Sequence, residues 1–294
     1  MTRSAAVRFD WLNGEVGELR RQYERCFGRA GPEPESWTTI ADADGSLRLL
    51  VQEPCQGGIP DHALLYFHGG GWIVGSPLTH ADISGALADA AGMTVFSVDY
   101  RLAPEWRAPA PIIDGCRALS TVLRRRGVHG VFLCGDSAGA SIALAVERRA
   151  EAAMRARIRG VCAFYGCYGL RDTPSSRAFG SRADGLDAAC LERMWSLANA
   201  PGIPSPYAID ALREVDGAPV YLLAAGRDPL RDDTLALAAA YRSRGRPHAL
   251  DLVEQAEHGF LHDTGESPTA SEAIGRISSW ILSQQAPAPR PGNS

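Results

Sequence analysis

The stretch from Val131 to Ala145 reads VFLCGDSAGASIALA, and it decides the fold. Residues 131–134 form an apolar run that is too short for a helix, whereas residues 141–153 are rich in helix-forming side chains. We therefore predict a buried strand, a very tight turn and a helix. Between the strand and the helix lies the sequence Gly-Asp-Ser-Ala-Gly, with Ser137 at its centre.

Ser137 stands at the apex of this predicted turn. Gly135 and Gly139 flank it at two residues on either side, where a side chain would prevent the close approach of strand and helix. The turn would present the hydroxyl at the positive N-terminal end of a helix, which favours a developing oxyanion. Gly-x-Ser-x-Gly also occurs in ordinary turns, so at this point a nucleophilic serine and a simple turn both remain open.

The composition is that of a single α/β domain. The chain has 294 residues, of which 45% are hydrophobic, so that it can bury a large core. Its net charge of −4 is spread without blocks, which argues against nucleic acid as a partner. The seven cysteines lack metal-ligand spacing and are interpreted as reduced thiols. Without a signal-peptide pattern or a run of about 18 apolar residues, we expect a cytoplasmic protein with no stable membrane insertion.

Apolar strands alternate with helices along the chain, which predicts a mainly parallel central sheet with helices on both faces. The predicted strands are residues 37–40 and 47–52, which form a hairpin, followed by 63–68, 94–98, 131–134, 161–165, 220–224 and 249–253. The predicted helices are residues 81–91, 112–126, 141–153 and 270–283. Functional residues are expected at the carboxyl ends of the parallel strands.

Two segments depart from this alternation. Residues 8–29 have the spacing of an amphipathic helical arm, and residues 168–206 carry turn residues around one helix near 186–197 but no strand pattern. Long insertions between core elements often act as lids. We therefore predict one domain over residues 1–285, with a cap built from about residues 1–30 plus 168–206. A disordered tail is expected at residues 286–294.

The sequence His68-Gly69-Gly70-Gly71-Trp72 follows a predicted strand. Three consecutive glycines leave backbone N–H groups unshielded, as an oxyanion hole requires, and the N–H of Ala138 would complete the hole. A flexible loop and a phosphate-binding loop are the alternatives. The phosphate loop is disfavoured because the Lys-Ser/Thr ending and the G-x-G-x-x-G spacing are both absent.

A serine nucleophile needs a histidine base, and in this fold the base comes last in the chain. Three histidines follow Ser137. His248 begins a predicted strand, whereas His258 lies in a polar loop after that strand, where its ring could reach the serine. His258 is therefore the predicted base, and His262 is the second candidate.

The acid that orients the base should lie between the serine and the histidine. Asp228 follows the predicted strand at 220–224, and Pro229 would fix the turn that presents its carboxylate. Asp232 and Asp233 better suit the N-terminus of the next helix. Asp228 is therefore the predicted acid.

Four separated motifs now occur in one order: HGGGW, DYRLAPE, GDSAG, and DPLRD with a later HGF. In these motifs the chain resembles the hormone-sensitive-lipase-like branch of the α/β-hydrolases, a family of bacterial esterases. The resemblance implies an α/β-hydrolase fold and structural roles for Arg101 and Glu105. It also implies that Ser137 is the nucleophile and that Asp228 and His258 form its relay. The implied oxyanion hole consists of Gly70, Gly71 and Ala138. Ala140 and the pair Trp106-Arg107 depart from the family pattern, the pair at the expected pocket wall.

The resemblance implies hydrolysis of short-acyl carboxylic esters through an acyl-enzyme, with neither a metal ion nor an organic cofactor. Trp72, Tyr168 and Trp195 are candidate walls of the substrate pocket, although core positions suit them nearly as well. Deacetylation of a small natural product and a formamidase reaction are alternative activities. A non-catalytic small-molecule receptor is a further alternative, against which the presence of His258 argues. The expected partner is a small-molecule ester, and homodimerisation is left open.

Overall fold

The computed structural model describes residues 9–28, 36–43, 45–58, 61–181, 185–213 and 216–285. The predicted disordered tail, residues 286–294, and residues 1–8, 29–30 and 182–184 of the predicted cap lie outside these ranges.

A mixed sheet of eight strands forms the centre of the protein. In chain order the strands are β1 (Trp37–Asp42), β2 (Gly45–Gln52), β3 (His62–Phe67), β4 (Val95–Val98), β5 (Gly130–Asp136), β6 (Ile158–Phe164), β7 (Val220–Ala225) and β8 (His248–Val253). Their spatial order is β1-β2-β4-β3-β5-β6-β7-β8. The β1–β2 and β2–β4 pairs are antiparallel and the others are parallel, which confirms the predicted fold class.

Helices cover both faces of this sheet. They are α1 (Val16–Phe27), α2 (Ala81–Ala91), α3 (Ala110–Leu123), α4 (Ala138–Arg149), α5 (Ala152–Arg155), α6 (Pro174–Phe179), α7 (Ala188–Ala198), α8 (Ile209–Leu212), α9 (Arg231–Ser243) and α10 (Pro268–Ser283). A short 3₁₀ helix, Phe260–Asp263, lies between β8 and α10.

Strand β5 shows how the two faces are filled. Val131 and Leu133 point into one apolar core, and Phe132 and Cys134 point into the core on the opposite face. All four side chains are fully buried, as expected for a central strand of a parallel sheet. Because both faces of β5 are packed, the position of its carboxyl end is fixed, and with it the positions of Asp136 and Ser137.

Helix α4 begins at Ala138, three residues earlier than the sequence predicted. The prediction placed Gly139 and Ala140 in the turn, where a side chain on Gly139 would prevent the close approach of strand and helix. The fold requires glycine there, since a Cβ atom on Gly139 would overlap with the carbonyl oxygens of Phe67 and His68 on β3 and the loop after it. The helix therefore follows Ser137 without a spacer.

The segment between β6 and β7 contains α6, α7 and α8 and, in its described part, no strand. Arg193 of α7 donates hydrogen bonds of 2.6 Å to the carbonyl oxygens of Trp11 and Gly14, just before α1. The N-terminal arm and the inserted segment therefore contact each other, as a shared cap requires. That they act as a cap stays a prediction.

The Arg101 guanidinium binds the buried carboxylate of Asp114 on α3 at 2.9 Å, and the exposed Trp106 ring lies 4.8 Å from the Arg101 guanidinium carbon. These contacts are structural, in line with the role that the family resemblance implies for Arg101. All seven cysteines lie within the described ranges, and none of them forms a disulfide. Across the same ranges, every helix is too short or too polar to cross a bilayer.

Candidate active site

Ser137 lies in a backbone conformation that side chains rarely adopt, with φ of 51° and ψ of −118°. The N–H of Ser137 donates to the carbonyl oxygen of Phe164 on β6 at 2.8 Å, which ties the turn to the sheet. A Cβ atom on Gly135 would overlap with the Gly139 backbone, so the turn can close only around glycine. The residue is thereby held at the N-terminus of α4, at the carboxyl edge of the sheet.

Three side chains predicted from separate motifs meet at this edge. The Nε2 atom of His258 lies 3.0 Å from the Oγ atom of Ser137, and its Nδ1 atom lies 2.8 Å from Oδ2 of Asp228. The other carboxylate oxygen of Asp228 accepts the backbone N–H of Leu230 at 2.7 Å. The Asp228 side chain is fully buried and that of His258 is 15% exposed, so the arrangement is shielded but open to a ligand at the ring.

The loop of three glycines borders the same space. Gly70 and Gly71 adopt φ angles of 107° and 59°, which L side chains disfavour. Within the described part of the chain, neither their N–H groups nor the N–H of Ala138 donates to a backbone carbonyl, and all three residues line the cavity beside Ser137. Three N–H donors are therefore available beside the serine hydroxyl.

A cavity of about 560 Å³ opens over Ser137. Its aromatic wall comes from the N-terminal arm and consists of Phe9, Trp11, Tyr23 and Phe27. Its second apolar wall comes from the inserted segment and consists of Phe179, Leu186, Leu191 and Met194. Both segments that were predicted to form a cap thus supply walls of the cavity.

The candidate wall residues from the sequence divide into two groups. Trp72 does line the cavity and stacks on Tyr207 at 5.3 Å. Tyr168 is fully buried in the core, and Trp195 packs behind Trp72 at 5.6 Å, so neither is a wall residue. Tyr168 follows the carboxyl end of β6, but the chain there is held against the core, where the buried carboxylate of Asp233 accepts the Tyr168 N–H at 2.6 Å.

Trp106 and Arg107, the departure from the family pattern, do not line this cavity either. Trp106 is 51% exposed, and Arg107 donates to the Asn199 carbonyl oxygen at 3.3 Å. The expected change in the pocket wall is therefore wrong, because Trp106 packs on Arg101 and faces solvent and Arg107 binds the residue that follows α7.

Polar side chains also collect under the glycine loop. Asp136 accepts a hydrogen bond of 2.7 Å from the hydroxyl of Tyr66, and its other oxygen lies 3.5 Å from Nε2 of His80. Burial raises the pKa of Asp136, but the charge and hydrogen bond of His80, with His262 and Tyr66, lower it by more, so that the pKa lies below its ordinary value. Burial, with the neighbouring His80, lowers the pKa of His68 to about 3, so the His68 ring is neutral.

No sequence pattern distinguished Asp136 and His80 as site residues, or the aromatic residues of the arm as walls of the cavity. Asp136 belongs to the same five-residue motif as Ser137, yet an acid beside a nucleophile cannot orient the base, and His80 precedes the serine by 57 positions. The helical spacing of Tyr23 and Phe27 was visible, but the partner of that apolar face was not.

Known proteins share the fold described above. A family model described as the α/β-hydrolase fold matches residues 64–262. This chain belongs to the α/β-hydrolase family. The match spans the glycine loop, the serine turn and the loop with both candidate histidines, so it covers every strand from β4 to β8. The family predicted from the four motifs is confirmed.

Solved α/β-hydrolase structures superpose on nearly the whole chain. An esterase of Pyrobaculum calidifontis is 26% identical with a TM-score of 0.82, and the match covers 96% of this chain and 97% of that one. A thermophilic carboxylesterase from a metagenomic library is 25% identical with a TM-score of 0.81, covering 93% and 99%. An esterase of Pseudomonas putida is 20% identical with a TM-score of 0.83, covering 95% and 92%, which shows the shared fold.

Proposed function

We propose that this α/β-hydrolase is a serine carboxylesterase that cleaves short-acyl esters. The observation that carries the proposal is the hydrogen-bonded series from Ser137 through His258 to Asp228, with distances of 3.0 and 2.8 Å. A serine, an imidazole and a buried carboxylate in this order are the groups that nucleophilic acyl transfer needs. The similarity to two esterases at 25 to 26% identity supports esters as the substrate class.

In the first half of the proposed reaction, neutral His258 removes the proton of the Ser137 hydroxyl as its oxygen attacks the ester carbonyl carbon. The resulting imidazolium is stabilised by the carboxylate of Asp228, which also fixes the proton of the neutral ring on Nδ1. His258 then donates its proton to the leaving alcohol, and an acyl-enzyme remains on Ser137.

In the second half, water replaces the alcohol. The water oxygen attacks the acyl carbon while His258 accepts a proton from that water. His258 then returns the proton to the Ser137 oxygen, and the carboxylic acid leaves. Each tetrahedral intermediate carries a negative oxygen. The N–H groups of Gly70, Gly71 and Ala138 are proposed to stabilise that oxygen, and removal of one such donor typically costs about 100-fold to 1,000-fold in rate.

The proposed preference for short acyl groups, roughly acetyl to hexanoyl, rests on the shape of the cavity. About 560 Å³ must hold both the acyl and the alcohol part of the substrate, and Met194 packs so close to Gly71 that a Cβ atom there would overlap with its sulfur. A long acyl chain would have to displace the apolar wall from the inserted segment.

The nucleophile and base are tested by Ser137→Ala and His258→Ala, with His248→Ala as the matched control on β8. We expect both site variants to lose p-nitrophenyl acetate turnover by up to about 10⁶-fold while keeping the wild-type circular dichroism spectrum. A fluorophosphonate probe should label the wild type and His248→Ala, but not Ser137→Ala.

Ordinary turnover by Ser137→Ala would refute the proposed nucleophile, and inactivation by His262→Ala instead of His258→Ala would refute the proposed base. A small-molecule receptor would neither turn over the ester nor react with the probe. A series of p-nitrophenyl esters from acetyl to palmitoyl tests the acyl preference, which is wrong if palmitoyl is cleaved faster than butyryl.

A further inference from the structure

Beneath the glycine loop, three possible metal ligands converge from distant parts of the chain. His80 directly precedes α2, Asp136 ends β5, and His262 lies on the 3₁₀ helix after β8. One donor atom from each side chain lies within 4.8 Å of the donor atoms of the other two. His80 and Asp136 are buried and His262 is half-buried, so the three groups are held among packed side chains rather than on an open surface.

Two of these side chains already have the outer partners that metal ligands commonly use. Nδ1 of His80 is hydrogen-bonded to the hydroxyl of Thr79 at 2.8 Å, which leaves Nε2 facing the cluster. The Oδ1 atom of Asp136 accepts the Tyr66 hydroxyl at 2.7 Å, which leaves Oδ2 facing the cluster. Hydrogen bonds on the far side of a ligand fix its orientation and raise its affinity for a metal.

The two inward-facing atoms are both electron-pair donors when the His80 ring is neutral. Nε2 of His80 accepts the backbone N–H of Gly69 at 3.2 Å and stands 3.5 Å from Oδ2 of Asp136. Either a proton on Nε2, which makes the pair a hydrogen bond, or a metal ion in place of that proton holds two such atoms together. A separation of 3.5 Å is close to the spacing of two ligands on a tetrahedral metal with bonds of about 2.1 Å.

We propose that His80, Asp136 and His262 form a Zn²⁺ site. Two imidazole nitrogens and one carboxylate oxygen are a donor set that suits Zn²⁺, and three protein ligands leave its fourth position open. The ion can enter through the active-site cavity, because Asp136 and His262 line that cavity. The site is separate from the proposed ester chemistry, in which the metal takes no part.

Metal binding requires a small movement, since donor atoms up to 4.8 Å apart must draw closer around one ion. His262 is the ligand that can move, because it lies on a four-residue 3₁₀ helix and is only half-buried. Its movement would pull on the loop that carries His258. The ion would also compete with the Gly69 N–H for Nε2 of His80 and so disturb the glycine loop.

Zn²⁺ bound at this site should therefore inhibit the protein reversibly. The inhibition rests on the proposed function, whereas the binding of the metal is independent of that function. Binding is measured by isothermal titration of the metal-free protein with ZnCl₂. The wild type and His258→Ala should bind one ion, and His262→Ala and His80→Ala should bind at least about 100-fold more weakly. Full retention of binding by a folded His262→Ala variant, or its loss in His258→Ala, would overturn the site.

Two controls exclude other surface ligands. His129→Ala removes an exposed histidine and Cys55→Ser removes the exposed thiol next to Asp89, and both should bind Zn²⁺ as the wild type does. Visible absorption with Co²⁺ in place of Zn²⁺ should show a tetrahedral band in the wild type that His262→Ala lacks. A band of equal intensity in His262→Ala would contradict the assignment.

The inhibition is then measured with p-nitrophenyl acetate, each variant being compared with its own rate without metal. Zn²⁺ should inhibit the wild type reversibly, with recovery on adding a chelator, and His262→Ala should need at least about 100-fold more Zn²⁺. Equal sensitivity of the two proteins would refute inhibition through this site. If no protein shows turnover while the calorimetric difference persists, the proposed function fails and the metal site stands.

Discussion

Arg20 of α1 donates two hydrogen bonds to the carboxylate of Glu105, at 2.9 and 2.6 Å, across 85 positions of sequence. The same guanidinium donates to the carbonyl oxygens of Ile73 and Ala103, each at 2.8 Å. One side chain therefore joins the N-terminal arm to the loop after the three glycines and to the DYRLAPE motif. Arg20 is therefore the partner of Glu105 in the structural role that the family resemblance implies for that residue.

Replacement of Arg20 by alanine should loosen the arm without touching the serine. We expect kcat/KM for the preferred ester to fall by about 10-fold to 100-fold, because small errors in substrate position are costly. Labelling of Ser137 by a small fluorophosphonate should fall much less. Arg21→Ala is the control, since Arg21 is exposed and pairs with Glu18, three residues earlier on the same helix. Equal losses of labelling and turnover in Arg20→Ala would contradict a positioning role for the arm.

The backbone strain at Ser137 should be measurable in inactive variants. Both Ser137→Ala and Ser137→Gly remove the hydroxyl, but only glycine adopts a φ of 51° with ψ of −118° without strain. Strain of about 1–3 kcal/mol exceeds the entropic cost of glycine, so we expect the glycine variant to be more stable by about 1 kcal/mol in urea denaturation.

Ser141, inside α4, is the matched control for that comparison. There the backbone is helical, so Ser141→Gly should be less stable than Ser141→Ala by about 0.5–1 kcal/mol. The sign of the glycine-minus-alanine difference should thus reverse between the two positions. The same sign at both positions would show that the turn at Ser137 stores no strain.

Met194 is expected to limit the length of the acyl group. Met194→Ala would remove the side chain that packs on Gly71 and enlarge the cavity, so the optimum in a p-nitrophenyl ester series should move to longer acyl groups. Leu197→Ala on the same helix is the control, because Leu197 packs on the core and not on the cavity. An unchanged optimum in Met194→Ala would place the acyl group on another wall.

The stability of the inserted segment should depend on pH through Asp233. Burial raises the pKa of Asp233 to about 7, and the nearby Asp228 adds to this rise. The hydrogen bonds from the Tyr168 and Leu170 N–H groups and the charge of Arg171 oppose it. In the unfolded chain the Asp233 carboxyl ionises near pH 4, so the folded state holds one more proton than the unfolded state between about pH 4 and 7. This contribution to stability is present at low pH and is lost as the pH rises through 7.

Asp233→Asn should remove that dependence. Between pH 5 and 8 the wild type should lose on the order of 2 kcal/mol relative to the asparagine variant, as measured by urea denaturation at each pH. Asp232→Asn gives the opposite comparison. Burial raises the pKa of Asp232, but its hydrogen bonds to Ser175 and Arg231 lower it by more, so that its contribution is lost as the pH falls. Parallel pH profiles of wild type and Asp233→Asn would refute the raised pKa.

Much of the fold could be predicted because its patterns are local. The four-residue apolar run before Gly135 could only be a short buried strand, and the alternation of such runs with helices permits few arrangements other than a parallel sheet. Element ends were less predictable. Helix α4 starts at Ala138 although glycine is a poor helix former. Gly139 is needed in its first turn because the Phe67 carbonyl oxygen lies too close for a side chain.

The sequence by itself determined the fold family, the turn at Ser137 and the candidate residues that partner this serine. These follow from the spacing and order of motifs along the chain, which need no knowledge of tertiary contacts. Only the tertiary structure decided that His258 rather than His262 faces Ser137, and that His262 lies with His80 and Asp136 instead. The reason is geometric. The 3₁₀ helix that starts after Gly259 turns two histidines only four residues apart toward different neighbours, and packing across the sheet selects those neighbours.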